Sequence, residues 1–418
     1  NINDPNPEGR GGLPGIQSSV AVVDGVVYFG AADANVYALD ALTGALKWKH
    51  SVGDPDVEGA HVWSSPAVFN GKVYVGKASH RDAPCVRGAA IALDAATGAE
   101  VWRFEPLPEH ICGTDTRKPC TTDTDCSGSC VPFLVCRSGS GEQTQSQLCA
   151  SDADCTAPAT CQRPLGGGMT SSAAIDAGRG AVYIDFGDCI GSGNTGFSNS
   201  LVALDTETGS LRWDFSPIPS GNLGDLDFIA SPNLFTIPGG TTPRPLVGVG
   251  SKNGVYYTVD RDTGALVWQQ AVVAGGESGG FSPSPGVAFG KVYAATFTRP
   301  PYIFALDATN GAVAWQCPTT VCDVFSFGPV GIAAGVVFVG DSSRQLRAFD
   351  AATGALLRNL DLGGNITSGP AVVNDMVFVG VGLGPTGESQ GVYGLALQGG
   401  HTAARTKRNL KSSSTQLP

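Results

Sequence analysis

The sequence has little charge, few histidines and only two methionines. Asp, Glu, Lys and Arg make up 15% of it, and the balance is -11. That sign excludes a nucleic-acid groove or an anionic membrane surface as a natural partner. The five histidines, His50, His61, His80, His110 and His401, show no paired metal-ligand spacing. No CxxCH haem-attachment pattern occurs. No apolar run is long enough to span a bilayer. No segment sustains a helical period either, so the chain is expected to be almost all β.

What is present is repetition. ALDALTGALKW, ending at Trp48, returns as ALDAATGAEVW at Trp102 and ALDTETGSLRW at Trp213. TVDRDTGALVW at Trp268 and ALDATNGAVAW at Trp315 follow. AFDAATGALLR keeps the frame but ends in Arg358, and VYGLALQGG has Ala396 in place of the aspartate. The aspartates fall at 40, 94, 205, 260, 307 and 350. Spacing of roughly 40 to 50 residues points to a solenoid or a propeller. Each copy reads as strand, tight turn, strand, with glycine supplying the positive φ of the turn. A second hairpin precedes each copy, as in SSPAVFNGKVYVG, where Asn70-Gly71 marks the turn. Four short strands per repeat are the content of one propeller blade.

The fold expected is a single all-β propeller of seven blades, with eight as the alternative count. Residues 18–106 hold blades one and two, and 166–400 hold blades three to seven. The last repeat lacks an obvious fourth strand, so 1–17 is expected to close the ring beside it. Residues 401–418 form a basic tail with Arg405, Lys407, Arg408 and Lys411, suited to an acidic surface on a neighbouring copy.

Residues 107–165 break the pattern. Eight of the twelve cysteines lie here, with little apolar content, which implies a disulfide-stapled insertion. CTTDTDC and CASDADC form an internal echo. Eight cysteines allow 105 pairings, so connectivity stays open beyond pairing within the segment. Asp123, Asp125, Asp152 and Asp154 read either as calcium ligands or as turn residues. Cys317 and Cys322 are expected to pair locally, which leaves Cys85 and Cys189 to bridge blades two and three. So many cysteines favour a secreted, periplasmic or extracellular protein. The start at Asn1 is what a processed export signal leaves, and a shortened chain leaves the same.

The repeats resemble the docking motif of quinoprotein alcohol dehydrogenase propellers, in which the terminal Trp packs one blade on the next. Trp48, Trp102, Trp213, Trp268 and Trp315 are therefore read as packing residues. Repeats two to four are most similar to polyvinyl-alcohol-dehydrogenase-type proteins. The matching stretches are VRGAAIALDAATG, GDCIGSGNTGFSNSLVALD, GDLDFIASPNLF and GSKNGVYYTVD. The resemblance implies pyrroloquinoline quinone over a calcium ion in the central funnel, with an aspartate as the base for the alcohol proton. It places Asp227 at the base, with Asp225 as the rival in a shifted alignment. It places Lys252 beside the quinone, Asp188 and Asp82 at calcium positions, and Arg87 in the family's Arg-Gly pair. The indole that stacks under the quinone falls at Thr170, and the adjacent-cysteine pair above it is reduced to Cys85, with Cys189 as its expected bridge partner. In GGESGGFSPSPG, Phe281 is the only aromatic.

Two function classes follow. One is an exported quinoprotein oxidising an alcohol group of a small molecule or polymer. The other is a non-catalytic propeller that binds or assembles with another extracellular protein. A glycan-binding or hydrolytic propeller has only scattered carboxylates behind it.

Overall fold

The computed structural model describes residues 15–79, 85–138, 147–187, 189, 196–219, 224–240, 242–277, 279–298, 301–382 and 391–396. Among the described residues seven antiparallel blade sheets follow one another, spanning 21–51, 67–104, 174–215, 233–271, 286–316, 331–361 and 371–396, with two small sheets of the insertion between the second and the third. Six of these blades carry four strands in simple sequence order, and blade two adds Ala60–His61 beside Lys72–Ser79. Blade seven has three strands, ending at Ala396. The first strands of successive blades lie side by side from blade one to blade seven. They line the axis, and the outer strands face away from it. The expected strand content per repeat and the seven-blade count both hold. Residues 1–14 and 397–418, and with them the expected ring closure and basic tail, lie outside the described residues.

The apolar core is a chain of interfaces. One buried cluster joins blades one and two, through Val36, Trp48, Val73 and Ile91. Equivalent clusters join each later pair, as far as Phe338, Ile366 and Val379 between blades six and seven. Each of blades two to six thus has two buried faces, and the second strand of blade three, Ala181–Phe186, is buried along its whole length.

The repeated motif makes these joints. Asp94 accepts hydrogen bonds from the amides of Ala96 and Thr97 and from the Thr97 hydroxyl, which fixes the turn. Gly98 then adopts φ 74°, and a β-carbon there would lie 2.7 Å from the ring of Trp48. The glycine therefore makes the turn and also leaves room for the previous blade's indole. Trp48 Nε1 donates to the Ala95 carbonyl at 2.9 Å. The same arrangement joins Trp102 to Gly209, Trp213 to Gly264, Trp268 to Gly311 and Trp315 to Gly354. Arg358 stands where a sixth indole would be, and its strand, Leu356–Asp361, is exposed throughout.

The cysteines pair as expected. The bonds are Cys85–Cys189, Cys317–Cys322 and four within the insertion. The insertion has two halves with one pattern: Cys112–Cys126 with Cys120–Cys130, then Cys136–Cys155 with Cys149–Cys161. In each half the first cysteine meets the third and the second meets the fourth, so the internal echo is structural as well as textual. No helix among the described residues is long and apolar enough to cross a membrane.

Candidate functional site

The two ends of the propeller differ. One end carries the tight turns of the repeats. The other gathers the loops between second and third strands and the connectors between blades. The candidate site is built at this second end, from the connector into blade four and the loops of blades three and four.

The connector 224–230 is laced onto the loop after Gly250. Lys252 donates its amide to the Asp227 carbonyl at 3.0 Å, and Ser251 Oγ donates to the Leu226 carbonyl at 2.6 Å. These bonds carry Asp225 and Asp227 to the Lys252 side chain. Lys252 Nζ lies 2.7 and 2.9 Å from the two oxygens of Asp225 and 2.9 Å from Asp227 Oδ1. Both aspartates are buried, at 8% and 4% exposure. Blade three makes room for them: a β-carbon on Gly187 would fall 2.4 Å from Asp227 Oδ2.

A third carboxyl group lies beside the pair. Asp185 sits in the fully buried second strand of blade three, and Ser171 Oγ donates to its Oδ1. Asp185 Oδ2 has no hydrogen-bond partner. Thr170 Oγ1 is likewise buried and unpartnered. Asp227 Oδ1, by contrast, is paired with the Lys252 ammonium at 2.9 Å. Buried oxygens left without partners are unusual enough to need an explanation.

Burial holds two of the site's acids, Asp185 and Asp225, above their usual range. Burial pushes Asp185 to about 8; the charge of Asp227 adds to this and the Ser171 hydroxyl opposes it. Burial also pushes Asp225 to about 8, helped by the charge and hydrogen bond of Asp227 and opposed by Lys252. For Lys252 burial works downward, but the two carboxylates together outweigh it and hold the ammonium above its usual value. At neutral pH the group therefore stores protons beside a fixed cation, which suits general acid–base work.

The structure brings together three of the expected residues, Asp225, Asp227 and Lys252. Cys85 and Cys189 join the loops of blades two and three at the same end. Thr170 lies next to Ser171, the hydroxyl that holds Asp185. Asp82 and Asp188 lie outside the described residues. Arg87 makes a different set of contacts. Its guanidinium is spent on the carbonyls of Pro164 and Leu107 and on Glu105, so it clamps the insertion to blade two. The calcium reading of the insertion fails. Asp125 and Asp154 each accept two backbone amides, while Asp123 and Asp152 accept those of Cys130 and Cys161. All four are turn caps within their own halves.

Asp185 is the residue that sequence reasoning missed. Its signal was available: a single carboxylate inside the apolar run AVYIDF. A charge in such a strand is seldom buried without a purpose.

Successive four-stranded blades joined by docked tryptophans define a class: a repeat propeller of quinoprotein type. Sequence comparison agrees. A profile for the PQQ glucose/ethanol/alcohol dehydrogenase β-propeller domain matches residues 156–274. The PQQ_2 profile, outer membrane protein assembly factor BamB, matches 10–117 and 302–403, just over half of the chain. The chain belongs to the PQQ-repeat β-propeller family and is related to its alcohol dehydrogenases. Polyvinylalcohol dehydrogenase of Sphingopyxis sp. (strain 113P3) is 26% identical over 85% of this chain and 57% of its own length. The chain thus spans little more than half of that relative. The crystal structure of quinohemoprotein alcohol dehydrogenase from Comamonas testosteroni matches 95% of this chain and 69% of its own, with TM-score 0.67 and 21% identity. BamB from Moraxella catarrhalis matches 93% and 85%, with TM-score 0.53 and 18% identity. At these identities the two structures speak for the fold alone.

Proposed function

We propose that this protein is an exported quinoprotein-like dehydrogenase that oxidises an alcohol group, with Asp227 as the base. The observation that carries the reading is the buried group of Asp225, Asp227 and Lys252 at the propeller mouth. Six disulfides support export.

The donor set fits a hard divalent cation such as calcium. Asp185 Oδ2 and Thr170 Oγ1 are buried oxygens without hydrogen-bond partners, the type of ligand such a cation takes. Those residues would hold the metal, and Lys252 would face the oxygens of pyrroloquinoline quinone. When bound, the quinone supplies the acceptor for the two electrons that leave the alcohol carbon. Asp227 takes the hydroxyl proton as the carbonyl forms. The Lys252 charge favours negative charge arising beside it. Asp225, pushed up to about 8 by burial, keeps its own proton at neutral pH beside the base. Thr170 offers little stacking area, so the cofactor is bound more weakly than over an indole.

A specific observation favours a second reading, a propeller that has lost the cofactor and acts in extracellular binding or assembly. It is the threonine where the resemblance puts an indole. Supplying calcium and pyrroloquinoline quinone and measuring dye-linked alcohol oxidation separates the two. The enzyme reading expects activity that Asp227→Asn abolishes and Asp225→Asn retains. Absence of quinone binding at saturation, with the protein folded, supports the scaffold instead.

A further inference from the structure

Three phenylalanines stand together at the mouth end, near the Lys252 loop. Phe297 follows the second strand of blade five, and Phe325 and Phe327 lie in the connector into blade six. Their ring centroids form a closed triangle. Phe297 and Phe325 are 4.8 Å apart, Phe297 and Phe327 4.5 Å, and Phe325 and Phe327 5.1 Å. Phe327 is 43% exposed, and the other two are half-buried.

The trio is held firmly. Between Phe325 and Phe327, Ser326 is fully buried and donates its hydroxyl to the Gly340 carbonyl at 2.7 Å. The Ser326 amide donates to the Thr296 carbonyl at 3.2 Å. The trio is also continuous with the candidate site. Phe297 donates its amide to the Gly280 carbonyl at 2.9 Å. A β-carbon on Gly280 would lie 2.5 Å from the carbonyl oxygens of Ser251 and Lys252. One backbone layer therefore separates the aromatic surface from the Lys252 loop.

Single exposed apolar residues need no explanation, but three interlocked rings beside a polar mouth do. Aromatic faces gain dispersion and release water when covered by hydrocarbon. We propose that Phe297, Phe325 and Phe327 seat the carbon chain of the substrate. The substrate is then an uncharged alcohol extending several carbons beyond the hydroxyl that is oxidised. The proposal rests on the enzyme reading for its occupant, and binding tests it separately.

The test uses 1-hexanol and ethanol as probes, with the whole chain and with Phe327→Ser and Phe297→Leu. Saturation-transfer NMR reads binding without any need for turnover. Hexanol is expected to bind, and Phe327→Ser to weaken it about tenfold, the loss of roughly two buried methylenes. Phe297→Leu, which keeps apolar volume, is expected to weaken it less. In the cofactor-loaded protein the KM for hexanol should rise by the same factor, with kcat and the ethanol KM unchanged. Equal effects on both alcohols, or hexanol binding indifferent to Phe327, overturn the seat. A change in self-association mass without a chain-length effect also overturns it and marks an interface between copies. Oxidation without chain-length dependence removes the seat and leaves the enzyme reading. Phe327-dependent hexanol binding without oxidation keeps the seat and removes the enzyme reading.

Discussion

Aspartate does opposite jobs at the two ends of this propeller. At the turn end, Asp40, Asp94, Asp205, Asp307 and Asp350 each cap a tight turn and accept several hydrogen bonds. For Asp94 the Thr97 hydroxyl and amide hold the carboxyl below its usual range, and for Asp205 the Arg212 guanidinium and the turn amides bring it to about 2. At the mouth, Asp185 and Asp225 are buried and pushed to about 8. One set is hydrogen-bonded in exposed turns and repeated, and the other is buried and single. Carboxylates capping turns hold a fold together; buried carboxyls held above their usual range are poised for a ligand or a proton.

The largest effect should come from the turn end. Trp213→Ala removes an indole seated on Gly264 and hydrogen-bonded to the Arg261 carbonyl. A loss of about 3–5 kcal/mol in chemical denaturation is expected. An effect below ~1 kcal/mol would mean that the blades are not joined through these residues.

The mouth sets the pH dependence. Asp185 and Asp225 have folded values near 8 against an ordinary 3.8, so the folded state keeps protons that the unfolded chain releases. Their contribution is fully present below pH 4 and declines as pH rises towards 8, by up to about 1.4 kcal/mol per unit for each group. Without added metal, Asp185→Asn should flatten part of that slope in melting curves taken from pH 4 to 8. A turn-end substitution such as Asp205→Asn should leave the slope from pH 4 to 8 unchanged, since that carboxyl, lowered to about 2, contributes its pH dependence only below about pH 4. Identical slopes in both variants would erase the distinction.

The smallest effect is expected at Arg358. Placing Trp there should change stability by less than ~0.5 kcal/mol. Copy seven has Ala396 in place of the aspartate, so an added indole has no capped turn to dock against. A gain of more than ~1 kcal/mol would show that docking needs only the indole.

Much of this was legible in the sequence for a physical reason. The Asp-Thr-Gly-Trp spacing is local: the aspartate caps its own turn and the glycine sits four residues later. Each copy therefore shows its conformation without the rest of the chain. Cysteine density marked the insertion for the same reason. The partners of Arg87, Pro164 and Leu107, were not legible because they are set by where the insertion docks. Asp185 was missed because its neighbours Ser171 and Asp227 come from other segments. The phenylalanine trio crosses two blades and left no pattern in the chain.

The most direct test pairs one aspartate from each end. Asp94→Asn and Asp227→Asn are compared for melting temperature and for quinone-dependent alcohol oxidation in the presence of calcium. Asp94→Asn should lower the melting temperature, by the ~1 kcal/mol of lost turn hydrogen bonds, and retain the activity of the folded fraction. Asp227→Asn should melt no lower than the parent and lose oxidation by a factor of about 100 to 10,000. An Asp227→Asn protein that melts early, or one that still oxidises at the parent rate, would contradict the division of labour between the two ends.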